Sequence, residues 1–335
     1  MLQLENKTPF ATSLSVLADS DGVDTLYVVV KGTFALVPEV AIAPTQLPVV
    51  LKDLFAGDPE RSSLKVASDV HLGKPSTDVV MMGSAWSPNG QPVPEMVVAF
   101  SIAGRRKMVR VVGDRRWKPR GAGFSRPEPF ESMPLVYERA FGGTHKLDDG
   151  RVVASEEQNP VGLGFAGQRS PNDMGGQRLP NLEDPRRPIE SARDRTAPAC
   201  FGFIAASWMP RRSFAGTYDE AWSKTRVPYL PLDFDRRFFN VAPADMVFAR
   251  HFRGGEPVEV IGASRRGLLR FTLPTTRPEI AVRIAGGGAT PSVSLETVLI
   301  EPDQDRLCLT WRAALPCDKK ALKIDLVVIE MKEGG

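Results

Sequence analysis

The sequence is short of cysteine, of histidine, of long apolar runs and of any excess of one charge, and each shortage closes off a class of protein. Its three cysteines, Cys200, Cys308 and Cys317, are odd in number and widely spaced, so they supply neither a disulfide framework nor a C-x-x-C pair. They read as reduced, mostly buried thiols of the cytosol. The three histidines, His71, His145 and His251, have no ligand-like spacing, and no metal or cofactor is expected. No apolar run approaches the ~20 residues that a membrane helix needs, so a membrane is not an expected partner. The opening Met1-Leu2-Gln3-Leu4-Glu5-Asn6-Lys7 lacks the charged stretch and apolar core of a secretory leader, and a cytoplasmic location is the expectation. A net charge of +3 argues against a nucleic-acid binder. The G-x-S-x-G elbow, the P-loop and the H-E-x-x-H pair are missing as well.

What the sequence does have is turn-forming residues and arginine. It holds 29 glycines and 29 prolines, a density that long helices do not tolerate, since an interior proline costs ~3 kcal/mol and a glycine about 1. Short strands joined by turns and structured loops suit it better. The fold class expected is mainly β: an antiparallel sandwich or curved sheets, with a long loop-rich, aromatic- and Arg-rich central insertion and few short helices. Residues 1–335 read as one integrated unit with three internal parts: a β-rich part over 1–112, a loop-rich block over 113–245 and a second β-rich part over 246–331. Residues 26–37 are β-branched and aromatic, as in a buried strand. The runs 79–86 and 96–102 flank Ser87-Pro88-Asn89-Gly90 and suggest a hairpin. Ala103-Gly104 turns the chain into 105–112, a half-exposed strand on a sheet edge or a charged face. In the block, 135–141 reads as a strand, 202–208 as strand or short helix, and 217–225 as the best helix. The aromatics Phe124, Phe141, Phe165, Trp208, Trp222 and Phe238 mark it as packed rather than a linker. Regular strand signals resume at 258–261, 268–273, 280–284, 298–300, 306–312 and 322–329. The last residues, 332–335, read as a frayed tail.

Several motifs invite a chemical reading. Gly162-Leu163-Gly164-Phe165-Ala166-Gly167 matches a dinucleotide fingerprint, yet neither a strand before it nor a helix after it is legible, which leaves a structural turn. Asp233-Phe234-Asp235 offers two carboxylates on one face of an extended chain for a hard cation. Arg236 and Arg237 follow at once, and the plainer reading is a buried Asp–Arg network pinning a loop. Asp114, Glu138, Asp233 and Asp235 are candidates for a glycosidase pair, which needs two carboxyl groups ~5–9 Å apart. The window 105–126 holds nine basic residues, Arg120 among them, and one acid, Asp114, a local charge of +8. Its strand residues Arg105, Arg106, Lys107 and Arg110 are candidates for binding a partner's acidic surface, ahead of nucleic acid because the whole chain is nearly neutral. The alternative is a solvated strand whose partners lie in acidic segments elsewhere.

The same segments carry a family resemblance. In order they are Leu4-Glu5-Asn6-Lys7-Thr8-Pro9-Phe10, Lys31-Gly32-Thr33-Phe34, Gly113-Asp114-Arg115-Arg116-Trp117, Met133-Pro134-Leu135-Val136-Tyr137-Glu138-Arg139-Ala140-Phe141-Gly142-Gly143, Asn159-Pro160-Val161-Gly162, Leu179-Pro180-Asn181, Gly216-Thr217-Tyr218-Asp219 and Leu230-Pro231-Leu232-Asp233-Phe234-Asp235-Arg236-Arg237-Phe238-Phe239-Asn240. Together they resemble a bacterial family known as a domain of unknown function, whose genes sit in type VI secretion clusters beside those for the spike protein and a toxic effector. The resemblance implies a cytosolic, non-enzymatic adaptor or chaperone that binds the effector and helps mount it on the spike. It supplies no catalytic or ligand residues. Asp114, Arg115, Trp117, Glu138, Arg139, Gly142, Gly143, Asn159, Tyr218, Asp219, Trp222, Asp233, Asp235, Arg237 and Asn240 are then expected to be scaffold: glycines for positive φ, Arg–Asp pairs for buried polar groups, aromatics for volume. The competing expectation is a glycan-directed hydrolase or carbohydrate-binding protein that uses the block's carboxylates.

Overall fold

A computed structural model describes residues 2–119 and 123–332; Arg120 of the basic window and residues 333–335 of the tail lie outside the described residues. The fold is mainly β, with several mostly antiparallel sheets. Asp24–Ala35 forms the spine of the largest sheet, and its residues from Thr25 to Phe34 are all buried. The unbroken Leu26-Tyr27-Val28-Val29-Val30 run explains this, because a strand covered on both faces needs no polar alternation. It pairs antiparallel with Ala11–Ala18 on one side and with Arg306–Pro316 on the other. Val293–Glu301 and Asp78–Met81 complete the order, the last pairing parallel.

A five-stranded sheet runs Leu182–Glu183, Arg105–Val112, Glu95–Ile102, Pro257–Ile261, Leu268–Thr272, with every pairing antiparallel. A four-stranded sheet sets Gln3–Asn6 beside Ile324–Lys332, then Arg277–Ile284 and Gly287–Ala289. One apolar core draws on the largest sheet and the turn beside it (Phe10, Leu26, Trp311), on the five-stranded sheet (Phe100, Val260) and on the block (Leu135, Phe201, Trp208). Burying a side chain such as Phe100 contributes roughly 1.5–3 kcal/mol.

The strand expectations outside the block are met, with one correction. Residues 79–86 and 96–102 are not hairpin partners: Asp78–Met81 belongs to the largest sheet, and Ser84–Trp86 pairs with Ser132–Pro134. The real hairpin joins Glu95–Ile102 to Arg105–Val112 through Ala103 and Gly104, both at positive φ (49° and 76°). Such a two-residue turn matches the twist of its strands, which the longer Ser87–Gln91 connection does not.

The block over 113–245 is packed and loop-rich. It pairs Phe141–Gly142 with Leu163–Gly164 and Thr144–Lys146 with Val152–Ser155, and carries several single-turn 3-10 helices. Its own small core gathers Trp117, Phe141, Phe165, Met174, Leu179 and Ile189. Residues 135–141 are not one strand but a 3-10 turn, Tyr137–Arg139, followed by Phe141–Gly142. Residues 202–208 are neither strand nor helix; Phe203 makes a single bridge to Leu64. The helix expected at 217–225 forms over Glu220–Thr225, with Asp219 as its N-cap accepting from the Trp222 amide at 2.8 Å.

All three cysteines are free and buried. Burial pushes the Cys200 and Cys308 thiols up to about 11, so at pH 8 roughly a thousandth of each is thiolate. Neither is expected to react with a disulfide reagent within minutes until denaturant is added. Rapid native-state labelling at Cys200 or Cys308, mapped by peptide mass, would contradict this.

Candidate functional site

Residues singled out in the sequence fall into three groups in space. The first centres on Asp114, whose carboxylate accepts from the Arg178 guanidinium at 2.9 Å, from the Asn181 amide at 2.9 Å and from Arg139 at 3.4 Å. Burial works to raise Asp114, but Asn181 and Arg178 outweigh it and hold the carboxyl below its usual range. Beside it Arg115 is buried against Glu183, which Arg110 also reaches. Glu138 accepts from the amide of Ser63 at 2.6 Å and from its hydroxyl at 2.9 Å. Asn159, wholly buried, donates to the Tyr137 and Phe141 carbonyls and clips the loop that Gly142 and Gly143 open. Trp117 packs edge-on against Phe124.

The second group is an outer corner. Tyr218 and Trp222 meet edge to face at 4.7 Å. Asp233 accepts from the Thr217 amide and hydroxyl, while Asp235 pairs with Arg237. These partners lower both carboxyls: the Thr217 amide for Asp233, the Arg237 guanidinium for Asp235. The expected buried Asp–Arg network is corrected here. The pair is not buried, with Arg237 exposed and Asp235 partly so, and Arg236 joins neither acid but donates to the carbonyls of Gly73 and Leu72. A loop crossing above it presents carbonyls, and these draw the guanidinium away.

The third group lines two adjoining cavities of about 380 and 470 Å³, which share Ile204, Pro210 and Ala244 as walls. Arg106 and Lys107 face the first. Arg105, Arg237 and Asn240 face the second. Arg105 donates to the carbonyls of Asp245 and Val247 and lies over the Phe248 ring at 4.1 Å. Lys107 pairs with Asp245 at 2.8 Å. Arg106 is exposed and has no carboxylate partner among the described residues. Within the basic strand, Lys107 and Arg110 thus find acids of the chain itself, whereas Arg106 has none among the described residues. Among the described residues the strand has a main-chain neighbour along its outer side only from Arg110 to Val112, so it is an edge strand for most of its length.

Sequence reasoning missed a buried charge cluster under the largest sheet. Lys31 pairs with Asp69 at 2.8 Å, Lys74 with Asp78 at 2.7 Å, and Arg312 with Glu296 at 2.7 Å, all nearly inaccessible. Asn240 belongs to it through a 2.7 Å bond from its amide to Asp78. One signal was available: Lys31 stands alone inside an otherwise apolar strand, and a buried lysine requires a partner. His71 stacks on Phe239 at 5.2 Å beside the same cluster. Burial, reinforced by Arg312, Lys74, Arg211 and Arg236, holds it well below 6.5. The folded protein therefore keeps His71 neutral while the unfolded chain takes up a proton below about 6.5, so stability is full above that value and falls as pH drops through it. As pH falls below about 6.5 stability is expected to drop progressively, and urea midpoints for His71→Gln should lose that slope. An unchanged slope would assign the pH dependence elsewhere.

Among the described residues no three His, Cys, Asp or Glu side chains gather as metal ligands, and no described helix is long and apolar enough to cross a membrane. No curated protein and no solved structure matches the chain significantly. Residues 21–312, most of the chain and all of the motif block, match the model of a family described as an uncharacterized protein conserved in bacteria (DUF2169), and the chain belongs to that bacterial family of unknown function.

Proposed function

We propose that this protein is a non-catalytic cytosolic adaptor, a chaperone that binds a toxic effector and helps load it onto the spike of a type VI secretion system. The observation that carries the reading is the state of the block's carboxylates. Asp114, Glu138, Asp233 and Asp235 are each occupied by guanidinium, amide or hydroxyl donors of the chain itself. A glycosidase needs one carboxyl group held protonated near neutral pH, which burial without partners would provide. Asp114, Asp233 and Asp235 are instead held low, which makes them poor proton donors and weighs against the glycan-hydrolase alternative. The motif block then serves as framework for the basic-rimmed double cavity, which suits the recognition of another protein. The ordered motifs that resemble type VI adaptors supply the partner.

The test is co-expression with an effector and spike of the type VI cluster to which the proposal assigns this gene. The effector is expected to be soluble and to co-purify with the tagged chain, and the spike to join that complex. No complex, together with an effector equally stable without this protein, would sink the proposal.

A further inference from the structure

We propose that the outer edge of Arg105–Val112 is the docking site for an extended acidic segment of a partner protein, taken up as an added β-strand along Arg106 and Met108. That the partner is the effector rests on the adaptor reading; the site itself does not. The two-residue turn makes Ile102 and Arg105 the first hydrogen-bonded pair of the hairpin. Lys107 and Val109 therefore also aim their main-chain groups at Glu95–Ile102, and Arg106, Met108, Arg110 and Val112 aim theirs away. The Val112 amide confirms the alternation by donating outward to the Asn181 carbonyl at 2.8 Å. Arg110 lies opposite Glu183. There the covering strand ends, and the outward amide and carbonyl of Arg106 and of Met108 have no main-chain partner among the described residues.

The 380 Å³ cavity lies along this stretch. Its facing wall includes Pro185, Pro198, Pro210 and Pro243, which have no N–H to offer the edge and so leave it unpaired. An open row of donors and acceptors is a template for a further strand. Charge selects which one. Of the acids on the lining, Asp245 pairs with Lys107 and Asp184 accepts from the Arg186 main-chain amide, while the Arg106 and Arg186 guanidinium groups have no carboxylate partner among the described residues. In the adjoining cavity Arg211 is only 7% exposed, and its guanidinium bonds to the carbonyls of Ile204 and Phe238 alone. A buried cation held only by carbonyls favours an arriving carboxylate. Phe214, Val247 and Phe248 beside it take an apolar neighbour. A second copy of this chain fits the edge poorly, because like edges would set arginine against arginine.

The experiment uses the full-length chain and two fluorescein-labelled, acetylated heptapeptides, one alternating valine with glutamate and one alternating valine with lysine. By anisotropy the acidic peptide is expected to bind about tenfold or more tightly than the basic one, because the main-chain bonds are common to both and two charge contacts change sign between them. Amide exchange at Arg106 and Met108 should slow when it binds. Met108→Pro removes an outward N–H without breaking a bond of the hairpin and should weaken the acidic peptide about tenfold while the thermal transition stays put. Arg106→Glu with Arg186→Glu should reverse the peptide preference, which keeps the test decisive if the proline variant does not fold. Equal binding of the two peptides, binding of neither, or unchanged binding by both variants overturns the site. Effector co-purification reads the other question. Peptide binding without effector capture leaves the edge standing and removes the adaptor reading, whereas effector capture untouched by the variants does the reverse.

Discussion

Replacing Asp78 with alanine is expected to remove about 3–5 kcal/mol of folding stability, a large share of what a folded domain has. The side chain is fully buried, and its carboxylate accepts from Lys74 Nζ at 2.7 Å, Asn240 Nδ2 at 2.7 Å and the Val241 amide at 2.6 Å. Without it the Lys74 ammonium stays buried with only the Thr297 hydroxyl, at 2.8 Å, for company. Two further donors are left unmade in a place that water does not reach. The effect is also architectural, because Asp78 opens a strand of the largest sheet while Asn240 and Val241 close the motif block. Urea unfolding and soluble yield measure the loss. Asp78→Asn, which keeps the volume and one acceptor, should fall between wild type and alanine. A shift below about 1 kcal/mol for alanine would mean that Lys74 finds another partner or loses its proton.

Gly142→Ala is expected to be of similar size, about 3–5 kcal/mol, from a single methyl group. Gly142 sits at φ +151°, and an added Cβ would stand 2.1 Å from the Asn159 carbonyl oxygen. That oxygen is main chain and cannot rotate aside. The loop would have to retreat, pulling the Asn159 amide off the Tyr137 and Phe141 carbonyls. The loss should appear as a lower urea midpoint and as early exchange of the amides that Phe141–Gly142 and Leu163–Gly164 share. Gly150→Ala is the control: it shares a positive φ of +86° but has open space around it, so only the backbone term of roughly 1 kcal/mol remains. Equal losses for the two would show that contact with Asn159 is not what matters.

The regular strands were legible because their pattern is local. Leu26–Val30 and the alternating Ile280, Val282 and Ile284 announce their pairing by composition alone. The turn at Ala103-Gly104 was legible for the same reason. The partnership of 79–86 with 96–102 was misread because a hairpin is the default for neighbouring runs, and the deciding contacts, with Val293–Glu301 and Ser132–Pro134, come from far along the chain. Asp114, Glu138 and Asn159 could be singled out from the sequence, but their partners Arg178, Ser63 and the Tyr137 carbonyl could not, since no spacing encodes them. Arg211 carried no signal at all. It is one arginine among 30, and only the folded chain shows that carbonyls surround it.

The sheet that sets Gln3–Asn6 against Ile324–Lys332, and the spine that receives Arg306–Pro316 across its whole length, fix an order of events during synthesis. Asp24–Ala35 cannot be completed until Arg306–Pro316, far along the chain, has left the ribosome. At ~5–20 residues per second, the apolar face of Asp24–Ala35 waits tens of seconds for its central neighbour. During that interval the nascent chain is exposed to premature association, and truncation anywhere before Arg306 should yield no soluble fragment that contains the spine.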